Sequence, residues 1–441
     1  MNKKEIREIR RHLKPDRSNI TAIFGCYVSA SGEVISEYRA GFGTMSENQR
    51  EFYLGILKNN LSGNLGKNLI QISFSNEQLV TSPEYKLLMG LRDCKLEDES
   101  LRKEFFQRII DAVNLDSSYL ILVACDQYDV PFQHHRRRGR PVYGAEIEED
   151  ADEVYSFLMC SICPVKTLQP AMQYSPDSKQ FELVSNRQYL GVQTAGFLFP
   201  SFEDRSADVS KVVFYTKDSS KAHEELIRNL FSVEAKMSAA QEKKTFETVL
   251  SDSLQDECRL EVIQGIHAEI GQMIQLQKDV APNEWMTMGL DDMEKILEKN
   301  GVTEKSRMQF RSDFVSNFGK DAQITPRNVI DENRFEVKTN EITIRLTPEN
   351  ANMLRVKKID GVPYFVISTS DPVNVNGLCV GVSEAEGKDL QDLLAGIPTP
   401  ESNQTHAPAS SDDPSDFPAF AMPAADDSLT QAEELASPDT I

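Results

Sequence analysis

Residues 118–165 constrain the fold more than any other part of the chain. They read SYLILVACDQYDVPFQ, then HHRRRGR, then PVYGAEIEEDADE, then VYSFLMCSICPV. Two strongly apolar runs bracket a long charged excursion. Such runs, bounded by polar and turn residues, read as adjacent buried strands, and the excursion reads as a surface loop. Most of the remaining chain is expected to pack around this pair.

At 441 residues the chain is too long for one typical domain. Hydrophobic residues make up 40% and charged residues 27%, which is ordinary for a soluble globular protein. No apolar run reaches the roughly 18 residues a membrane helix needs. The opening MNKKEIREIRRHLKPDR is charged and has no apolar core, unlike a secretory signal. A cytoplasmic location is therefore expected. The seven cysteines are scattered at Cys26, Cys94, Cys125, Cys160, Cys163, Cys258 and Cys379. Their odd number and wide spacing argue for reduced, buried thiols rather than a disulfide framework.

The net charge is −21. Nine of the 69 acids lie beyond Gly396, where there is no Lys or Arg; without that tail, 60 acids face 48 bases, a net of −12. An acidic surface repels phosphate, so broad nucleic-acid binding is disfavoured and only a local basic patch would serve.

Residues 2–14 place Ile6, Ile9 and Leu13 on one side of a helix that Pro15 ends. Lys3, Lys4, Arg7, Arg10, Arg11 and Lys14 surround that stripe. The segment could bind phosphate or an anionic surface, or simply dock its stripe on its own domain. Ile20–Tyr27 and Glu33–Tyr38 form an expected hairpin around Ser31-Gly32. Ser46 to Gln49 is a capping box that opens a helix. Gly66-Lys67 fails as a phosphate-binding loop. Leu61 stands where that motif needs Gly, and Asn68 where it needs Ser or Thr. A glycine turn into the strand Leu69–Phe74 is expected instead. Ser82-Pro83 starts a further helix, and another runs over Glu97–Val113. Strands are expected at Tyr119–Ala124 and Lys211–Tyr215, a hairpin around Pro176-Asp177, and a helix at Ser219–Phe231.

Residues 239–320 turn to helical periods, with stops at Gly301 and Gly319. Residues 333–382 return to strands, with Asp360-Gly361 as a hairpin turn. The expected architecture is α+β: a mixed or antiparallel sheet with covering helices, a helical middle segment, a small C-terminal β region and a disordered tail. The expected boundaries are 1–235, 236–322, 323–395 and 396–441. The tail holds seven prolines and few large apolar groups, so it cannot bury a core. Its short apolar islands, Phe417–Met422 and Leu429–Leu435, are candidate motifs for a protein partner.

Three constellations could carry chemistry. Cys160-x-x-Cys163 lacks the second ligand pair that zinc requires. It also lies in a strand, where positions i and i+3 face opposite sides, so buried packing is expected. His134, His135, Arg136, Arg137, Arg138 and Arg140 would suit an anion or nucleic acid, together with the basic helix. Glu146, Glu148, Glu149, Asp150, Asp152 and Glu153 follow and could neutralise them. Asp126 and Asp129, with Glu203, Asp204 and Asp208, would bind a divalent metal if their two segments converged. No recognised catalytic or cofactor motif is present, and no cofactor is expected.

Several blocks together resemble a bacterial family of unknown function of the DUF4317 kind. They are ITAIFGCYV (20–28), LSGNLGKNL (61–69), LRDCKL (91–96), YDVP (128–131), DEVYSFLMCSICPV (152–165), GFLFPSFEDRSADV (196–209) and VNVNG (373–377). The resemblance carries no activity. In its order of segments alone, the chain also resembles bacterial nucleoid-associated proteins of the YejK/NdpA type. The leading expectation is a non-enzymatic cytoplasmic binding or scaffold protein. The alternatives are a nucleoid-associated or other nucleic-acid-binding protein, and a metal-dependent hydrolase.

Overall fold

The computed structural model describes residues 1–131, 153–184, 187–281, 284–359, 362–369 and 371–381. In chain order, α1 (Lys3–His12) leads to the hairpin β1 (Ala22–Val28) and β2 (Val34–Gly41). Then come α2 (Glu47–Asn59), β3 (Leu69–Ser73), α3 (Asn76–Thr81), α4 (Pro83–Asp93) and α5 (Glu99–Ile110). The long strands β4 (Tyr119–Val130) and β5 (Glu153–Thr167) follow, then the hairpin β6 (Ala171–Ser175) and β7 (Gln180–Val184). Next are β8 (Gln188–Leu190), β9 (Ala195–Phe199), the ribbon β10 (Ser201–Glu203) and β11 (Ser206–Asp208), β12 (Lys211–Thr216) and α6 (Glu224–Phe231).

The main sheet has eight strands, in the order β2-β1-β4-β5-β9-β12-β3, with β8 beside the end of β5. Every neighbouring pair is antiparallel. The central pair runs in unbroken register from Tyr119↔Pro164 to Val130↔Glu153. Both apolar runs are thus adjacent strands. Side chains alternate across the sheet. Ile121, Val123, Leu158, Cys160 and Ile162 join one core, with Leu88 and Leu91 of α4 and Phe105 and Ile109 of α5. Leu122, Ala124, Tyr155, Phe157, Met159 and Cys163 join the other, with Ile6 and Ile9 of α1 and Leu54 and Leu57 of α2. Because helices cover both faces, no polar alternation shows in the sequence. Each large apolar side chain buried there contributes about 1.5–3 kcal/mol.

Local signals set several ends. Ser46 and Gln49 cap α2 reciprocally, and Ser82 caps α4 with Pro83 in its first turn. The expected helix at Ser219–Phe231 is shorter. It begins at Glu224, after His223 adopts a left-handed conformation with φ 52°. One polar feature is inserted into the second core. Asn60, fully buried at the end of α2, donates to the carbonyl of Cys160 and the hydroxyl of Ser161, both at 2.8 Å. It reaches them over Gly196 of β9, where an added Cβ would lie 2.1 Å from Asn60 Oδ1 and 2.5 Å from the Cys160 carbonyl oxygen.

The helical middle comprises α7 (Ala239–Leu254), α8 (Leu260–Val280), α9 (Leu290–Lys299), α10 (Glu304–Phe318) and the short α11 (Pro326–Val329). It has a core of its own around Phe246, Ile270, Leu297, Phe310 and Phe314. By contacts, however, residues 1–370 group as one unit that includes both this core and the sheet. The strands that follow do not join into one sheet. Among the described residues, β13 (Phe335–Lys338) pairs only with β14 (Thr343–Leu346), and β15 (Leu354–Ile359) only with β16 (Val362–Ile367). The second pair extends to Ile359↔Val362; the expected turn residues Asp360 and Gly361 lie outside the described residues. In the unit that begins at Asp371, β17 (Val373–Val375) and β18 (Leu378–Val380) form a hairpin. Its turn residues Asn376 and Gly377 both have positive φ, the geometry such two-residue loops need. The expected disordered tail, 396–441, lies outside the described residues.

The cysteines divide more than the sequence suggests. Cys160 and Cys163 point into opposite cores, as their spacing on a strand requires. Burial pushes the Cys163 thiol up to about 12 and the Cys160 thiol well above its ordinary value. Cys258 and Cys379, in contrast, are exposed. A thiol reagent is therefore expected to label Cys258 and Cys379 in the native protein, and Cys160 and Cys163 only after unfolding. Mass spectrometry of the labelled peptides reads this out, and native labelling of Cys160 would contradict the fold.

Two histidines impose a pH dependence. His223 packs beside Phe214 with Nε2 3.0 Å from Thr216 Oγ1, and His267 meets the Phe335 ring edge-on. Burial lowers both below the ordinary value of 6.5. Their contribution to stability is complete above pH 6.5 and is lost as pH falls below it, because the unfolded chain then binds the extra protons. Glu242, pushed up by burial from 4.5, works in the opposite sense at lower pH. Melting temperatures measured from pH 8 downward should begin to fall near 6.5. A profile flat through that point would count against both burials.

Candidate anion-binding face

Helix α1 begins at a reciprocal cap in which Asn2 accepts from the amides of Lys4 and Glu5. Its inner stripe, Ile6, Ile9 and the following Leu13, is fully buried against the sheet. Its last residue, His12, places Nε2 3.1 Å from Asp126 Oδ2. Both are buried, at 6% and 2% exposure. Asp126, on β4, also accepts from Ser18 Oγ at 2.9 Å and from the amides of Asn19 and Gln127 at 2.8 and 2.7 Å. This one carboxylate therefore fixes the end of α1, the turn after it and the strand beneath.

Both acids of α1 are engaged by other groups, Glu5 in the interior and Glu8 at the edge of the outer face. Glu5 accepts from the amides of Asn2 and Asp204 at 2.5 and 2.8 Å. Glu8 accepts from the Tyr128 hydroxyl at 2.7 Å and pairs with Arg205 at 2.9 Å. Burial, reinforced by Glu8, raises the Tyr128 phenol far above its ordinary range. The cations of α1 meet no such partners. Lys4, Arg7, Arg11 and Lys14 are exposed, Lys3 and Arg10 half-buried. Among the described residues none of them forms an ion pair, although Arg10 donates to the Leu61 carbonyl at 3.2 Å.

These cations border two depressions. One, of about 740 Å³, is lined by Lys4, Arg7, Arg11 and Arg17 together with Tyr128 and two acids, Asp129 and the Arg205-paired Glu8. Pro131, the last described residue before the charged excursion, also lines it. The other, of about 410 Å³, is lined by Lys3, Arg7, Arg10, Arg11 and Lys14. The two share Arg7 and Arg11, so the outer side of α1 is one continuous cationic face. Nearby, burial and the charges of Lys14 and Arg10 lower the Lys58 ammonium.

The other expected sites fare differently. His134, His135, Arg136, Arg137, Arg138 and Arg140 lie outside the described residues. Of the acids expected to hold a metal, Glu203 and Asp208 come together on Lys211, and among the described residues no group of three His, Cys, Asp or Glu is placed to hold one. Asp126 is engaged with His12, as above. Glu203 pairs with Lys211 at 2.5 Å and with the Met1 ammonium, and Asp208 pairs with Lys211 at 2.9 Å. Burial acts to raise the Glu203 and Asp208 carboxyls, but hydrogen bonds and these cations outweigh it and hold both below the ordinary range. Asp129 faces the cationic depression, and Asp204 is exposed in a turn with φ 49°. Sequence reasoning missed Arg17 and Tyr128 as companions of the basic helix. Arg17 follows Pro15, outside the helical period, and Tyr128 comes from a strand more than a hundred positions away.

Among the described residues, no helix is long and apolar enough to cross a membrane. No curated protein matches the chain. The likeness to nucleoid-associated proteins finds no support in these comparisons. A family profile described as Domain of unknown function (DUF4317) matches residues 1–378, which takes in the whole sheet, the helical middle and α1. The chain belongs to that family.

Proposed function

We propose that the protein is a non-catalytic binding protein that takes a polyanion on the outer face of α1. One observation carries this: a chain of net charge −21 presents a helix whose exposed cations have no ion-pair partner among the described residues, while the helix's own acids are engaged by Arg205, Tyr128 and the Asp204 amide. Isolated cations focus potential, and a groove concentrates it further. The general acidity of the rest restricts contact to this face. Arg7, Arg11 and Arg17 around Tyr128 favour nucleic acid as the polyanion, since guanidinium forks suit phosphate and a ring suits a base. A cytoplasmic location fits the seven unbonded cysteines.

Gel-shift titration across a salt series tests the reading. Affinity for duplex DNA should fall with salt by about 0.9 log units per log unit for each phosphate neutralised. Replacing Arg7 and Arg11 together with glutamine should reduce that slope by about 2 and leave the melting temperature unchanged. Absence of any shift at low salt, for DNA and for inorganic polyphosphate alike, would remove the proposal.

A further inference from the structure

A separate cavity of about 710 Å³ lies where the sheet body meets the helical middle. That is the size of cavities that hold small organic ligands, which form preferentially between structural units. Trp285, the only tryptophan, and Met286 line it. The Trp285 indole N–H is spent on the Met1 carbonyl at 2.7 Å. Glu242 also lines it and is 9% exposed. Its carboxylate accepts from the Thr325 amide at 3.0 Å and Asn328 Nδ2 at 2.6 Å. No lysine or arginine among the described residues pairs with it. Asn328 is 8% exposed and gives its amide hydrogens to Glu242 and to the Gly66 carbonyl at 2.9 Å. Its Oδ1 is left buried with no partner.

The cavity wall thus holds a buried carboxylate with no ion-pair partner among the described residues, acted on by Lys236 through charge alone. Buried acceptors of this kind call for N–H groups. The same cavity is lined by Lys3, which has no carboxylate partner, and by Arg327 and Lys278, which share Glu332. With Lys236 added to the bases and Glu234, Glu284 and Asp321 to Glu242, the lining carries four bases and four acids, so a ligand bearing both charges matches it better than a simple cation or a simple anion. We propose that this cavity binds a small zwitterion of the amino-acid or dipeptide class. Its ammonium would donate to Glu242, its acid group would face Lys3 and Arg327, and its apolar side chain would lie on Trp285 and Met286.

Trp285 gives the test a built-in reporter. The full chain is titrated with L-phenylalanine, L-leucine and dileucine, followed by tryptophan emission and by calorimetry. At least one probe should give a saturable change. Its N-acetylated form should bind at least about tenfold more weakly, since a charge-assisted hydrogen bond is lost. Glu242→Gln should weaken binding to the same degree. Should that variant fail to fold, Lys3→Ala, at a half-buried position, should weaken it by loss of the acid contact. The Arg7 and Arg11 replacements should leave it unchanged, which separates this site from the polyanion face. No saturable signal from any probe up to about 10 mM, a limit reached by very weak ligands, would overturn the proposal. Equal binding of the acetylated probe would do so too.

Discussion

Replacing Gly196 with alanine should destabilise the folded protein by about 3 kcal/mol or more. The new Cβ would fall 2.1 Å from Asn60 Oδ1 and 2.5 Å from the backbone carbonyl of Cys160. Asn60 can retreat, but only by giving up its bonds to Cys160 and Ser161 in a fully buried site. Gln193 loses a partner as well, since its Nε2 donates to Asn60 Oδ1 at 3.2 Å. Overpacking a core costs about 1–3 kcal/mol, and each buried polar group left unpaired costs about 1–3 kcal/mol more. The carbonyl of Cys160 belongs to β5 and cannot move without disturbing the β5–β9 pairing. Truncating Asn60 to alanine beforehand should therefore relieve part of the Gly196→Ala cost and not all of it. Urea unfolding of the two single variants and the double variant measures this coupling. A Gly196→Ala protein within 1 kcal/mol of the parent would mean that β9 and α2 do not meet as described.

Asp126→Ala should be nearly as damaging, by about 3 kcal/mol or more, because each buried polar group left unpaired costs about 1–3 kcal/mol. It strands His12, the Ser18 hydroxyl and the Asn19 amide at once. Asp126→Asn keeps an acceptor for the two backbone amides and should cost less, about 1–2 kcal/mol. The effect should also be local. Hydrogen exchange of residues 3–19 should rise before that of β4 and β5, because Asp126 is the polar anchor of α1. Uniform acceleration across the whole sheet would show that α1 is held by other means.

The central strand pair was legible because its apolar runs are long and unmixed. That legibility has a physical origin: helices bury both faces, so nearly every position must be apolar. The same origin explains why strand order stayed hidden, since β3 joins the edge of the sheet beside β12, far away in sequence. Caps and turns at Ser46, Ser82, Gly301 and Gly319 were readable because they depend on neighbours only. The end of the helix at His223 was not, since its left-handed start rests on burial against Phe214 and Thr216. In the candidate site, the cations of α1 could be read directly. Their lack of partners could not, because it depends on where Glu5 and Glu8 point and on Arg205 from a distant loop. The Asp126 carboxylate carried a metal expectation for the same reason: a buried acid and a metal-binding acid look alike until the neighbours are known.

Lysine footprinting tests the central claim most directly. The protein is acetylated briefly with and without a short DNA duplex at low salt, and modification is read at each lysine by mass spectrometry. Lys4 on α1 and Lys14 just beyond its end, both exposed, should be protected by the duplex, while Lys103 and Lys338, exposed on other elements, should react as before. Protection of Lys103 or Lys338 with Lys4 and Lys14 unchanged would contradict the assignment of α1 as the polyanion-binding face.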